Sequence, residues 1–186
     1  ISYRVLPSWY IADTTGEIAN EDYTYRGVSD DNGKIVIENH KQGDYTIQIG
    51  GGDSSIAYRY SLNKVTEQFI VEKAAMAANG SVKGWVSLPE GEKYTWVHIP
   101  GIGRVVKTDS KGQFVIAGVP VGSLVLKAWD TATNECIAQA EIDIQSKDTL
   151  DIGHVEAPDE NIVKKTMRIN PSTLISSWMQ PISAPY

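Results

Sequence analysis

Aromatic side chains are the residues of this sequence whose type and spacing best suit a binding function. Thr95, Val97 and Ile99 occupy alternate positions of a predicted strand, so a strand with Val97 and Ile99 in the core has His98 facing outward. Counted in the same way, four large rings face outward and are candidates for ligand binding: Trp85, Tyr94, Trp96 and Trp129. Flat aromatic faces can stack on sugar rings, so these residues suit a polysaccharide platform. The alternative, which we prefer, is that loops or a neighbouring domain half-cover these rings, because single exposed apolar residues are common.

Motifs of the common enzyme classes do not occur in the sequence. None of the three histidines, His40, His98 and His154, has the neighbouring residues of a zinc-binding pair. Neither a Gly-x-Ser-x-Gly sequence nor a phosphate-binding glycine loop is found. The segment 30–33 (Asp-Asp-Asn-Gly) is rich enough in oxygen atoms to suggest calcium, but these are also the ordinary residues of a hairpin turn, which we prefer. We therefore expect no catalytic residue, no metal and no cofactor.

Composition excludes two further classes of partner. The 23 acidic residues outnumber the 17 basic ones, giving a formal net charge of −6, and a surface of that sign repels nucleic-acid phosphates. No apolar run is long enough to span a bilayer as a helix. Cys136 is the single cysteine, so no internal disulfide can form.

An internal repeat sets the predicted architecture. Ser29–Ile37 matches Thr108–Ile116 without a gap at an offset of 79 residues (108 − 29), and Gly43–Ile49 matches Gly122–Ala128 at the same offset. Each copy has an Asp-x-x-Gly turn, an alternating strand, a glycine-containing turn and a second alternating strand. Alternation with closely spaced turns is typical of an antiparallel sandwich, and this offset is about the length of a small domain. We predict an all-β chain of two tandem sandwiches.

The repeat also places the predicted domain boundaries. We expect a first sandwich over residues 1–74, a second over 75–157, and a linker or the first strand of a truncated domain over 158–186. Further strands are predicted by alternation at Tyr58–Leu62, Phe69–Val71, Val82–Leu88, Thr95–Ile99, Ile142–Ile144 and Leu150–Ile152. The alanine-rich segment 71–78 favours a helix by composition, but its position at the junction of the repeats indicates a linker or a single helical turn.

The second repeat resembles a known family. Its opening Gly80–Gly84, the segment Thr108–Ile116 and the Val-Pro-Val-Gly turn 119–122 are similar to carboxypeptidase-regulatory-like domains. The resemblance implies a transthyretin-like sandwich (the prealbumin type of immunoglobulin-like fold), used as an accessory module of secreted or cell-surface bacterial proteins. The first repeat is less similar, because it lacks the opening Gly-x-Val and has His-Lys-Gln-Gly at 40–43. The tandem pair also resembles the amino-terminal part of multidomain surface proteins of fibre-degrading bacteria.

Three functions remain open from the sequence. The first, which we prefer, is a non-catalytic spacer, stalk or display platform of an extracellular protein, whose partners are neighbouring domains of the same polypeptide. The second is a carbohydrate-binding or adhesion module that uses the outward aromatic rings. The third is a self-assembling surface or pilus-type subunit that donates the tail Ile162–Tyr186 to the sheet edge of a neighbour.

Overall fold

The computed structural model describes residues 1–11, 24–38, 40–64, 74–130, 132–133 and 135–158. In these ranges the chain contains strands and no helix, so no helix there could cross a membrane, and the predicted all-β class is confirmed. The strands are β1 (Ser2–Pro7), β2 (Tyr25–Val28), β3 (Gly43–Gly51), β4 (Ser54–Leu62), β5 (Gly80–Val86), β6 (Trp96–Ile99), β7 (Arg104–Lys107), β8 (Gln113–Val119), β9 (Gly122–Trp129), β10 (Cys136–Ile144) and β11 (Thr149–Val155).

These strands form three sheets. The first sheet has the order β2-β1-β3-β4, the second β10-β9-β6-β7 and the third β11-β5-β8. Neighbouring strands are antiparallel, as predicted, with the exception of β11, which runs parallel to β5. A parallel neighbour requires a long crossover, and here the crossover from β5 to β11 contains β8 and all four strands of the second sheet.

The second and third sheets close face to face over one core. Val97 and Leu126 of the second sheet and Val82 and Ile116 of the third belong to the same apolar cluster, and each is at most 1% exposed. The alternation along β9, with Leu124, Leu126 and Ala128 inward, supplies this face because strand side chains point to opposite sides in turn. Strands β5 to β11 are therefore a two-layer sandwich.

The first sheet is the counterpart of the second sheet. β2 begins at Tyr25 and β7 at Arg104, 79 residues apart (104 − 25), and the starts of β3 and β9 differ by the same 79 (122 − 43). The order β2-β1-β3-β4 corresponds to β7-β6-β9-β10. The described residues of the first repeat thus form one layer, and a complete first sandwich, like the boundaries at 74 and 157, stays a prediction.

The turn of the repeat is built identically in both copies. Asp30 Oδ1 accepts hydrogen bonds from the backbone N–H groups of Asn32 and Lys34, at 2.9 and 2.8 Å. In the second copy Asp109 Oδ1 accepts from the N–H groups two and four residues later, both at 2.8 Å. The glycines that follow have φ values of 78° and 76°, in the region that favours glycine. These bonds engage Asp30 in a turn, as predicted.

The strand predicted at Ile35–Ile37 does not form. Its counterpart in the second repeat is β8, which pairs with β5, whereas residues 34–37 have no ladder partner among the described residues. Ile35 and Ile37 instead pack against the apolar face of the first sheet. Residues 74–78, the described part of the alanine-rich segment 71–78, form no helix. The predictions for Phe69–Val71 and Ile162–Tyr186 lie outside the described residues.

Candidate functional site

Three of the four predicted aromatic residues lie on the outer surface of the second sheet. Trp96 on β6 is directly opposite Trp129 on β9 and, on its other side, Lys107 on β7. Tyr94 precedes Trp96 by two residues and its ring meets that of Trp96 edge to face, with centroids 6.3 Å apart. Lys127 lies on the same face, two residues before Trp129. We call these five residues (Tyr94, Trp96, Lys107, Lys127 and Trp129) the aromatic–lysine face.

Two lysines sit over aromatic rings of this face. Lys107 Nζ lies 3.6 Å from the centroid of the Tyr94 ring, and Lys127 Nζ lies 5.9 Å from the centroid of Trp129. Both distances are within the range at which an ammonium group is attracted by the negative face of an aromatic ring. The sequence analysis identified the rings but not the lysines. The alternation that places Trp129 on the outward side of its strand also places Lys127 there.

The first repeat covers the outer surface of the second sheet next to this face. Val105, opposite His98, packs against Leu6 and Tyr10. His98 is therefore only 7% exposed, although it alternates with the core residues Val97 and Ile99 as predicted. The prediction that it faces outward was right about its side of the sheet and wrong about its exposure. Burial lowers the pKa of His98 to about 4, because the charged imidazolium is poorly solvated there.

Two nitrogen atoms on this side of the sheet are buried without a hydrogen-bond partner in the described chain: His98 Nδ1 and Trp129 Nε1. Buried polar atoms are satisfied in the great majority of cases, so such a pair is unusual. The main chain at Trp129 is well held, since its carbonyl oxygen accepts a hydrogen bond from Thr95 Oγ1.

The fourth predicted residue, Trp85, lies elsewhere. It is on β5 of the third sheet, so it faces away from the aromatic–lysine face on the opposite side of the sandwich. Its ring is 42% exposed and stacks on the ring of His154, with centroids 4.0 Å apart. His154 Nε2 is 3.0 Å from Ser87 Oγ. The structure therefore divides the predicted platform between two surfaces.

A cluster of rings on the first sheet was not found from the sequence. His40 Nε2 lies 2.6 Å from the hydroxyl oxygen of Tyr60, and the His40 ring also meets the rings of Tyr25 and Tyr45. Burial is the main cause that lowers the pKa of His40 and raises that of Tyr60. These rings belong to the apolar face of the sheet or pack on it, which indicates a packing role. No sequence motif joins these residues, because the pairing of β3 with β4 brings Tyr45 and Tyr60 together, whereas Tyr25 lies on β2 and His40 before β3.

No group of three or more potential metal ligands occurs within the described ranges. Asp30, weighed as a calcium ligand, is held by the two backbone N–H groups of its turn.

Comparison with known proteins gives little further information. No family model and no curated protein sequence matches the chain. Among solved structures, the chain is similar to GBS52, the minor pilin of the Gram-positive pathogen Streptococcus agalactiae, at 14% identity and a TM-score of 0.33, over 85% of this chain and 83% of that one.

Proposed function

We propose that this chain is a non-catalytic structural module that holds its neighbouring domains at a fixed spacing in an extracellular or cell-surface protein. The observation that carries the proposal is the junction, by which we mean the contact between the outer surface of the first sheet and the second repeat. The similarity of the second repeat to carboxypeptidase-regulatory-like domains supports the extracellular setting. A spacer can hold its neighbours at a fixed distance only if its own parts do not move relative to one another. The rigidity of the junction is therefore the property that tests the proposal.

Backbone hydrogen bonds cross the junction. The N–H of Ala57 on β4 donates to the carbonyl oxygen of Val121 at 2.8 Å, and the N–H of Val121 donates to the carbonyl oxygen of Ser55 at 3.1 Å. Ile56 and Val121 form a parallel β-bridge, and Ala57 belongs to the core cluster of the second repeat. The edge strand of the first sheet is therefore tied by main-chain bonds to the chain that enters β9.

A partly buried arginine adds a second tie. Arg4 Nη2 donates to Gln48 Oε1 at 2.8 Å and to the carbonyl oxygen of Ile102 at 2.6 Å, so it joins β1, β3 and the second repeat. Gln48 Nε2 donates in turn to Ser55 Oγ at 3.2 Å. Burial and the nearby Arg104 lower the pKa of Arg4, which nevertheless stays charged because an arginine side chain does not lose its proton in proteins. Such directed bonds fix an orientation more narrowly than apolar contact does.

Close approach of the two backbones completes the junction. A Cβ built on Gly122 would collide with the carbonyl oxygen of Ala57, and one built on Gly101 would lie 3.3 Å from Ser8 Cα. The N–H of Gly101 donates to the carbonyl oxygen of Tyr10 at 2.8 Å. Only glycine allows the second repeat to come this near, so sliding of the two surfaces would break bonds on both sides.

The rigidity of the junction can be measured directly by NMR relaxation and residual dipolar couplings. In the intact chain we expect a single rotational diffusion tensor and a single alignment tensor for the amides of both repeats, and one cooperative unfolding transition in urea. Different tensors for the two repeats, or two separate transitions, would contradict a rigid spacer.

Arg4→Met tests the hydrogen bonds that Arg4 makes across the junction. It leaves Gln48 Oε1 and the Ile102 carbonyl oxygen without this donor, so it should cost roughly 2–4 kcal/mol of unfolding free energy and loosen the common alignment. Arg59→Met is the matched control, because Arg59 is an exposed arginine on β4 and its loss should change stability by no more than about 0.5 kcal/mol. Equal effects of the two substitutions would show that Arg4 does not hold the junction together.

A further inference from the structure

The internal repeat shows what is distinctive about the aromatic–lysine face. Thr46 and Gln48 on β3 correspond to Val125 and Lys127 on β9, each pair 79 residues apart (125 − 46 and 127 − 48). In the first repeat these positions are buried in the junction, at 1% and 7% exposure. In the second repeat they lie on a partly exposed surface. The same surface of the sheet is thus covered at these two positions in the first copy and is partly exposed at the equivalent positions in the second copy.

Among the described residues, the lysines of the aromatic–lysine face have no carboxylate partner. Lys83, on the other side of the sandwich, pairs with Asp151 at 3.2 Å, but neither Lys107 nor Lys127 has a carboxylate oxygen within 4.0 Å in the described ranges. The whole chain carries six more acidic than basic residues, so two unpaired cations on one face depart from its average charge. A pair of this kind attracts an anionic ligand.

The rings beside these lysines define the other half of the ligand. Trp96 and Trp129 are neighbours across two strands and are partly exposed, so they offer apolar contact next to the ammonium groups. We propose that the aromatic–lysine face binds a polysaccharide built from uronic acids, whose sugar rings lie on Trp96 and Trp129 and whose carboxylates bind Lys107 and Lys127. This binding function is additional to the spacer role and does not depend on it.

Other ligand classes fit this face less well. A neutral sugar can contact the same two tryptophans, but it offers no anionic group to Lys107 and Lys127, whose ammonium groups lie beside the rings. A nucleic acid needs many phosphate contacts, and two lysines on a protein of net charge −6 cannot supply them. A carboxylated sugar suits both the tryptophan rings and the lysines, because it has an apolar ring face and an anionic group on the same unit.

The test compares acidic polysaccharides with their neutral counterparts. Polygalacturonate, alginate and hyaluronan are each titrated into the intact chain beside the same polymer with its carboxyl groups reduced to alcohols, with tryptophan fluorescence and calorimetry as readouts. We expect at least one acidic polymer to bind about tenfold more tightly than its reduced form. Raising the salt from about 0.05 to about 0.5 M should weaken this binding, since exposed charge pairs are screened. Equal affinity for both forms, or no binding to any of the polymers, would overturn the proposal.

Matched variants locate the binding surface. Lys127→Gln and Lys107→Gln should each lower the affinity about two- to fivefold, as expected for exposed ion pairs, while Lys83→Gln on the opposite side should leave it unchanged. Trp96→Ala should lower it about tenfold, whereas Trp85→Ala should not. Thermal melting of each variant confirms that it is folded. Loss of binding in the Lys83 and Trp85 variants, or self-association of the intact chain that Trp96→Ala abolishes, would refute the assignment.

Discussion

The cost of replacing Gly101 by alanine, compared with the cost of the same change at Gly91, measures how tightly the junction is packed. Gly101 has a φ of 81°, and a Cβ built there would lie 2.5 Å from Thr46 Oγ1 and 3.0 Å from Thr46 Cβ. Gly91 has nearly the same φ, 83°, but a Cβ there would meet no atom within 4 Å. Alanine at either position is strained by about 1–2 kcal/mol because L residues disfavour positive φ. Only at Gly101 does the new methyl group enter the junction.

The size of the difference follows from what surrounds the added methyl group. Thr46 is 1% exposed and its Oγ1 is 3.1 Å from Ser8 Oγ, so it cannot move away without disturbing a hydrogen bond inside the junction. Overpacking of this kind costs about 1–3 kcal/mol, and a lost hydrogen bond about 1 kcal/mol. We therefore expect Gly101→Ala to lower the free energy of unfolding by about 2 kcal/mol more than Gly91→Ala does.

Urea unfolding of the two variants beside the parent chain measures this difference. A second substitution identifies its source: in a Thr46→Ala background, which removes the hydroxyl oxygen nearest to the methyl group, the extra cost of Gly101→Ala should fall by about 1 kcal/mol. If the two glycine substitutions cost the same within about 0.5 kcal/mol, the loop containing Gly101 does not press on the first sheet, and the argument for a tight junction fails.

Two further predictions concern the repeat turn and the buried histidine. Gly112→Ala should lower the free energy of unfolding in urea by about 2 kcal/mol more than Gly33→Ala does. The two glycines have similar φ values, 76° and 78°, but only at Gly112 would the new Cβ collide with the carbonyl oxygen of Val86. Equal losses in the two variants would contradict this prediction. The lowered pKa of His98 means that the unfolded chain takes up the proton first, so the folded chain should lose up to about 3 kcal/mol of stability as the pH falls from about 6.5 through 4. Denaturation curves at pH 7 and pH 4.5 measure this loss relative to His98→Gln, and an unchanged loss in that variant would show that other groups cause it.

Local chemistry made the repeat turn predictable. The side chain of Asp30 or Asp109 binds N–H groups two and four residues away, and Gly33 or Gly112 takes the positive φ that closes the turn. All of these atoms lie within a few residues, so the sequence alone contains the information. The same holds for the alternation of β9, which assigned its inward side chains correctly.

Non-local pairing explains what the sequence did not reveal. The segment 34–37 has the pattern of a strand, like its counterpart β8, but a strand needs a ladder partner, and β8 obtains its partner from β5. The burial of His98 was not predicted, because Leu6 and Tyr10, which pack against the neighbouring Val105, are distant in sequence. The division of the predicted aromatic platform has the same origin, since which of two sheets receives a strand cannot be read from the alternation of that strand.

The contrast between the two copies limits how such units can be joined. Thr46 and Gln48 suit a covered surface, because their short or amide side chains can be satisfied by hydrogen bonds inside the junction. Lys127 at the position equivalent to Gln48 carries a charge, and covering it with another domain that offers no carboxylate would cost several kcal/mol. Repeating the same junction on the second copy would therefore be unfavourable. A following domain that attached by another surface would leave the aromatic–lysine face accessible to a ligand.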